Sequence, residues 1–335
     1  MADLKVGIIG TGAIGREHAL RLNDTVGGAV VTVVYDFLRP AAESVAELVG
    51  ARVADDPRSL VFSDDVDAVV VTNRSEDHAE SVLLAIEAGK PVFCEKPLAT
   101  LAADCEKIMQ AEMKFGKKLV QVGFMRRYDK GYRQLKSMLD SQEYGEPLML
   151  HCAHRNIDPV VQYNDTMTIT QTAIHEIDCL HWLVDDEYVS GQVLIPRTTK
   201  YAQKDFHDPQ IILLRTKKGI CIDIEVFMHA RYGYDIQCEV CCEEGVILMA
   251  EPSYPLVRMD AKRSIQLETD WKERFIEAYD VEFKEWVEGT LRGEVTGPTS
   301  WDGYVAAVTA DALVEAQKTG AIVSIEAGEC PAFYK

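Results

Sequence analysis

Leu4-Lys5-Val6-Gly7-Ile8-Ile9-Gly10-Thr11-Gly12-Ala13-Ile14-Gly15 is the stretch on which the fold turns. A buried strand over Leu4–Ile9 is followed by three glycines at G-x-G-x-x-G spacing and then by a helical run from Arg16 to Leu22. In that strand–turn–helix setting the first glycine permits a tight turn, the second lets the backbone approach a pyrophosphate, and the third lets helix pack on strand. Ala13 and Ile14 lie between the last two glycines, where a helix N-terminus offers N–H groups to phosphates. Glycine-rich turns are common, so it is the flanking strand and helix that make this one a dinucleotide site.

Reading outward, a second strand, Ala29–Tyr35, ends at Asp36, about 20 residues past the last glycine, where a carboxylate accepts hydrogen bonds from ribose hydroxyls. A carboxylate there repels a 2′-phosphate, so NAD is expected and NADP, with Arg39 nearby, is the lesser alternative. Strand patterns at 51–54 and 67–72 then alternate with helical segments around 56–62 and 76–88, as in a doubly wound parallel sheet of the Rossmann type. Asn73, at a strand's carboxyl end, and His78, just inside the next helix, read either as residues lining the cofactor cleft or as ordinary loop and cap residues. Pro91-Val92-Phe93-Cys94-Glu95-Lys96-Pro97 is an apolar strand that stops at a carboxylate, an amine and a proline, which puts Glu95 and Lys96 where ligands sit in an open parallel sheet. A helix over 102–115 and a strand over 118–122 complete a first domain, 1–124.

The whole chain has 335 residues, 47% hydrophobic and 27% charged, and no apolar run near the ~20 residues of a membrane span. Two domains are expected at that length. A net charge of −19 excludes the basic footprint that nucleic acid or an anionic membrane requires. The nine cysteines are scattered through apolar segments and read as reduced thiols. With no signal-peptide layout at the start, a cytoplasmic location is expected. Cys238-x-x-Cys241-Cys242 has no second Cys/His pair to complete tetrahedral ligation and lies in a strand pattern that sends Cys238 and Cys241 to opposite faces, so no metal site is expected.

From residue 125 the pattern changes, and a second domain, 125–335, is expected to be α+β. A helix over 128–141 leads to a strand over 148–156, in which His154 and Asn156 share a face. A helix over 168–182 places Gln171, His175, Asp178 and Trp182 at i, i+4, i+7 and i+11, on one stripe. A satisfied core histidine bonded to Asp178 is the alternative to a proton acceptor there. Strand patterns at 190–196, 210–216, 219–227, 234–242 and 246–249 follow without intervening helices and indicate a large, open, mostly antiparallel sheet. Its exposed face and edge predict a homo-oligomer, with a tetramer suspected. Two helices, over 272–291 and 301–319, close the chain, with Ser300 as N-cap of the second.

Gly10–Gly15, Glu95-Lys96-Pro97 and His175-x-x-Asp178 together resemble the Gfo/Idh/MocA oxidoreductase family over essentially the whole length. Gly123-Phe124-Met125-Arg126-Arg127-Tyr128-Asp129, Ile174-His175-Glu176-Ile177-Asp178 with Trp182, Tyr232-Gly233-Tyr234-Asp235 and Gly297-Pro298-Thr299-Ser300-Trp301 look like its bacterial cyclitol-oxidising branch. The resemblance implies NAD-dependent oxidation of a ring hydroxyl of myo-inositol or a close cyclitol. It assigns Lys96 to positioning the hydroxyl, His175 to taking the proton, and Asp178 to the catalytic group. It also makes Met125, Arg126, His154, Asn156, Gln171 and Tyr234 candidates for substrate contact. Four residues before the histidine these enzymes commonly carry a carboxylate, and here the residue is Gln171. A polyol, a sugar or a glycoside remains open as substrate, and a non-catalytic NAD(P)-binding regulator is the reading from another class.

Overall fold

The computed structural model describes residues 3–159 and 162–335. Met1 and Ala2, in the expected first domain, and Val160 and Val161, in the connection before the 168–182 helix, lie outside them. The chain forms two compact units: Met1–Phe124 with Tyr279–Ala307 and Ala327–Lys335, and Met125–Ala278 with Val308–Glu326.

In the first unit, β1 (Leu4–Ile9), β2 (Ala29–Tyr35), β3 (Arg52–Val53), β4 (Ala68–Val71), β5 (Val92–Glu95) and β6 (Val120–Gly123) form one sheet in the order β3-β2-β1-β4-β5-β6. Every pairing is parallel, because each strand is followed by a crossover through α1 (Ala13–Leu20), α2 (Arg39–Val49), α3 (Pro57–Val61), α4 (His78–Glu87) or α5 (Ala102–Phe115). β4 and β5 are buried at every position, as strands covered on both faces are. The strand order reverses between β1 and β4, which sets a crevice at their carboxyl ends. The doubly wound parallel sheet expected from the alternation is therefore present.

The second unit opens with α6 (Lys130–Asp140), capped by Asp129, whose carboxylate accepts from Tyr132 N at 3.1 Å. Next come β7 (Pro147–Arg155), α7 (Asp165–Met167) and α8 (Ile174–Val184). The remaining strands are β8 (Tyr188–Leu194), β9 (Gln210–Thr216), β10 (Cys221–Phe227), β11 (Asp235–Cys242), β12 (Val246–Leu248), the β13 (Leu256–Met259) and β14 (Lys262–Ile265) hairpin, and β15 (Val323–Ser324). Six of them and β7 make a sheet in the order β12-β11-β7-β10-β9-β8-β15, in which only β7 and β10 run parallel. Burial alternates along β9, β10 and β11, so one face is covered and the other open. Cys238 lies on the covered face, with Sγ 3.8 Å from Cys152, and Cys241 on the other.

Two long helices, α9 (Trp271–Arg292) and α10 (Ser300–Thr319), contribute to both units. Phe283, Trp286 and Val287 of α9 join Ile8, Val31, Val70 and Phe93 in the core of the first unit. The chain crosses at Phe124/Met125, where the pattern changes, and again within each long helix. Ser300 is not the cap of α10. Thr299 N and Oγ1 donate to Asp302 Oδ2 at 2.7 and 2.8 Å, while Ser300 Oγ donates to the buried carboxylate of Glu112.

Candidate active site

A cleft of about 380 Å³ opens at the β1/β4 switch point, lined by Gly10, Gly12, Asp36, Phe37, Asn73 and Arg74 among others. Gly10 has φ +100°, and a Cβ there would stand 2.3 Å from Asn73 N. A Cβ on Gly15 would stand 2.1 Å from the Gly10 carbonyl oxygen. At Gly12 a Cβ would meet nothing within 4 Å, so the backbone faces open space there. The N-terminus of α1, with exposed Ala13 and half-buried Ile14 in its first turn, has no side-chain cap and no acidic residue. This is a cradle into which an anion fits. Asp36 stands at the rim, its Oδ2 accepting from Thr11 N at 2.7 Å and its Oδ1 from Leu38 N at 2.9 Å. Thr11 Oγ1 also donates to Oδ2, at 3.1 Å, so of the about four acceptor sites of a carboxylate about one is left for a ribose hydroxyl. These features fit a dinucleotide.

Asn73 lines the cleft, with its amide donating to Ser81 Oγ at 3.0 Å. His78 faces inward: its Nδ1 is 2.7 Å from the Pro97 carbonyl and its Nε2 3.1 Å from that of Asn73. Burial lowers its pKa, against those two carbonyl contacts, and a neutral ring has one N–H, which it donates to one of the two carbonyls. Glu95 ends β5 buried, Lys96 follows half-buried, and the Lys96–Pro97 peptide is cis. The Glu95 carboxylate points inward, accepting from Lys96 N at 3.1 Å and meeting His18 Nε2 at 2.8 Å. Burial alone would raise the Glu95 pKa; the hydrogen bond from His18, with the Lys96 charge and backbone N–H, outweighs it and holds the carboxyl below its ordinary range.

In the second unit the predicted 168–182 helix is two segments, a π-helical turn over Thr168–Ala173 followed by α8. Gln171 lies in the π turn, and His175, Asp178 and Trp182 lie in α8. Every residue of α8 from Ile174 to Leu180 is buried, and each polar side chain finds its own direction inward. Glu176, off the predicted stripe, forms a buried ion pair with Arg126. His154 Nδ1 lies 3.1 Å from both Arg126 Nη2 and Glu176 Oε2. Burial pushes the Glu176 carboxyl up, but the Arg126 charge and His154 bring it below its ordinary range. The His175 ring lies 6.3 Å from that of His154, and the Tyr234 ring stands perpendicular to His154 at 5.9 Å. Burial raises the Tyr234 phenol well above its usual range, so it remains a neutral donor.

Asp178 belongs to a second ion pair, both oxygens accepting from Arg127. Met125 is buried at the start of the unit, and Asn156 lies just past β7, its amide 3.4 Å from Met228 Sδ. Thus the structure gathers Arg126, His154, His175 and Tyr234 into one cluster and gives Asp178 to another. Glu176, Arg127 and His18 were not singled out from the sequence; a carboxylate between two marked residues was the available sign for Glu176. Among the described residues no group of three or more His, Cys, Asp or Glu side chains could hold a metal ion, and no helix is long and apolar enough to cross a membrane.

Sheet order, glycine cradle and acidic rim define a dinucleotide-binding protein. Residues 4–124 match the model of an oxidoreductase family described by its NAD-binding Rossmann fold, and residues 136–325 match that of the family's C-terminal alpha/beta domain. The chain belongs to the Gfo/Idh/MocA oxidoreductase family, and its cofactor is NAD. It is 53% identical over 333 residues to inositol 2-dehydrogenase of Serratia proteamaculans, covering 99% of each chain. It is 51% identical over 337 residues to a Shouchella clausii protein named inositol 2-dehydrogenase/D-chiro-inositol 3-dehydrogenase, covering 99% of this chain and 97% of that one. Among solved structures, myo-inositol dehydrogenase from Lactobacillus casei in complex with NAD(H) and myo-inositol superposes with a TM-score of 0.98 at 41% identity, covering 99% of this chain and all of that one.

Proposed function

We propose that this chain is an NAD-dependent dehydrogenase that oxidises a ring hydroxyl of myo-inositol, or of a close cyclitol, to a ketone. Full-length likeness to a protein crystallised with both NAD(H) and myo-inositol carries this reading. NAD, when bound, supplies the hydride acceptor. Gly10, Gly12 and Gly15 with the α1 N-terminus would hold its pyrophosphate and Asp36 its ribose. His175 takes the hydroxyl proton, since an imidazole titrating near roughly pH 6.5 is suited to that work near neutrality. The Lys96 ammonium steadies the negative charge that develops on the oxygen. Arg126, His154, Asn156 and Tyr234 provide the several polar groups that a polyhydroxylated ring requires. Asp178 acts through Arg127, bracing the helix that carries His175.

Gln171 supports a second reading, a sugar or glycoside oxidoreductase of the same family, because a neutral amide replaces a charge in the residue set offered to the substrate. Purified protein with NAD and a panel of inositols and sugars, followed by NADH absorbance, tests both. Turnover is expected with myo-inositol, and Lys96→Ala is expected to abolish it with NAD affinity largely retained. Absence of NADH with every polyol and sugar, despite NAD binding, would refute the enzyme reading.

The open face of the seven-stranded sheet supports a further proposal, a homotetramer, because it exposes Met149, Leu194 and Leu248. A cytoplasmic location is proposed with it, supported by nine cysteines among which no disulfide forms in the described residues.

A further inference from the structure

Beneath the turn that follows β5, the first unit contains a polar chain with no part in the glycine cleft. His18, on α1, is fully buried among aromatic rings, with centroids 6.1 Å from Phe93, 5.4 Å from Tyr279 and 4.4 Å from Phe283. Its Nδ1 is 2.7 Å from Arg21 Nη1, and Arg21 Nε donates to Asp280 Oδ1 at 2.7 Å. A guanidinium has no lone pair, so Nδ1 accepts from Arg21 and the ring proton sits on Nε2. That proton is therefore donated to Glu95 Oε1, 2.8 Å away, while Glu95 Oε2 accepts from the Lys96 N–H at 3.1 Å.

An imidazole enclosed by aromatic rings is tolerated only because both nitrogens are bonded. An aliphatic side chain would fill the same space without that requirement. What the imidazole adds is direction, a donor held at one point below the β5 turn with its tautomer set by Arg21. Burial lowers the His18 pKa, more than the Glu95 bond raises it, and so keeps the ring neutral and the donor singly defined.

We propose that His18 is a positioning residue for the reaction: the Arg21–His18–Glu95 chain fixes the Glu95 carboxylate and, through it, the backbone from which the Lys96 ammonium projects. The inference rests on the assignment of Lys96 to the reacting hydroxyl. A misplacement of about 1 Å at a reacting group can lower a rate by about 100-fold.

The test compares four full-length variants with NAD and the best substrate of the panel, reading kcat, KM and, by fluorescence titration, NAD affinity. His18→Leu is expected to lower kcat by roughly 10- to 100-fold, with KM and NAD affinity within about threefold of the parent. His18→Gln, whose amide nitrogen reaches the Nε2 position, is expected to restore kcat to within about fivefold of the parent. Arg21→Met, which removes the group that sets the tautomer, is expected to lie between them. Unchanged kcat in His18→Leu, or His18→Gln no better than His18→Leu, would overturn the proposal. Should His18→Leu fail to fold, unchanged kcat in Arg21→Met overturns it equally. Lys96→Ala separates the two levels: sustained turnover in that variant overturns the Lys96 assignment itself, whereas a dead Lys96→Ala beside an unimpaired His18→Leu overturns the positioning chain alone.

Discussion

Gly12 and Gly15 have the same composition and the same motif, yet alanine at the two positions should produce opposite failures. At Gly15 the new Cβ would stand 2.1 Å from the Gly10 carbonyl oxygen and 2.7 Å from Thr72 Oγ1. Neither is the far end of a flexible side chain, so α1 must shift off the β1 turn. Overpacking of this kind destabilises by about 1–3 kcal/mol, against which alanine's helix propensity returns at most ~1 kcal/mol. At Gly12 the Cβ would meet nothing within 4 Å, so stability should change by no more than ~0.5 kcal/mol. That same methyl would occupy the space through which a pyrophosphate approaches the backbone, and NAD affinity should fall at least roughly tenfold, about 1.4 kcal/mol. Urea denaturation without NAD and fluorescence titration with NAD read the two effects separately. Gly12→Ala protein that binds NAD as tightly as the parent would refute the placement of the pyrophosphate over Gly12, and Gly15→Ala protein as stable as the parent would refute the clash.

Three other outcomes are expected. Glu176→Gln leaves the buried Arg126 guanidinium without its carboxylate and should destabilise by about 3–5 kcal/mol; a urea midpoint equal to the parent's would contradict the ion pair's role. Because the folded Glu176 pKa is depressed, its contribution is present above the unfolded value of about 4.3 and is lost as pH falls below it, so this variant should also show a shallower loss of stability in that acid range. Gln171→Glu places a carboxylate one turn before His175, should favour the imidazolium, and should move the acid limb of the kcat/KM profile up by about one pH unit; an unchanged profile and kcat would show that the position does not tune His175. Light scattering at micromolar concentration should give an oligomer mass, with the tetramer expected, and a monomer would remove the proposed role of the open sheet face.

Much of the architecture is written locally. The runs Leu4–Ile9 and Ala29–Tyr35 and the helix Ala102–Phe115 are read from the sequence at the bounds the structure gives them, because strand and helix periods are short-range patterns. The 168–182 helix is read as continuous because a π turn leaves the residue composition of a helix unchanged and alters only its hydrogen-bond step. Ser300 is read as a cap on residue type, whereas in the structure the Asp302 carboxylate accepts from the Thr299 N–H and hydroxyl at the start of the helix.

By itself the sequence determined the fold class, the glycine cradle and the residue types that the chemistry needs, since each is carried by neighbours within a few turns of chain. Tertiary structure alone decided which charges meet. Arg126 meets Glu176 from 50 residues away, His18 meets Glu95 from 77, and Arg21 meets Asp280 from 259. It also decided that the apolar stripe of α9 completes the core beneath β1, β4 and β5. An amphipathic helix records that one face must be buried and not against what. A buried carboxylate likewise records a need for donors, and only the folded chain supplies their identity.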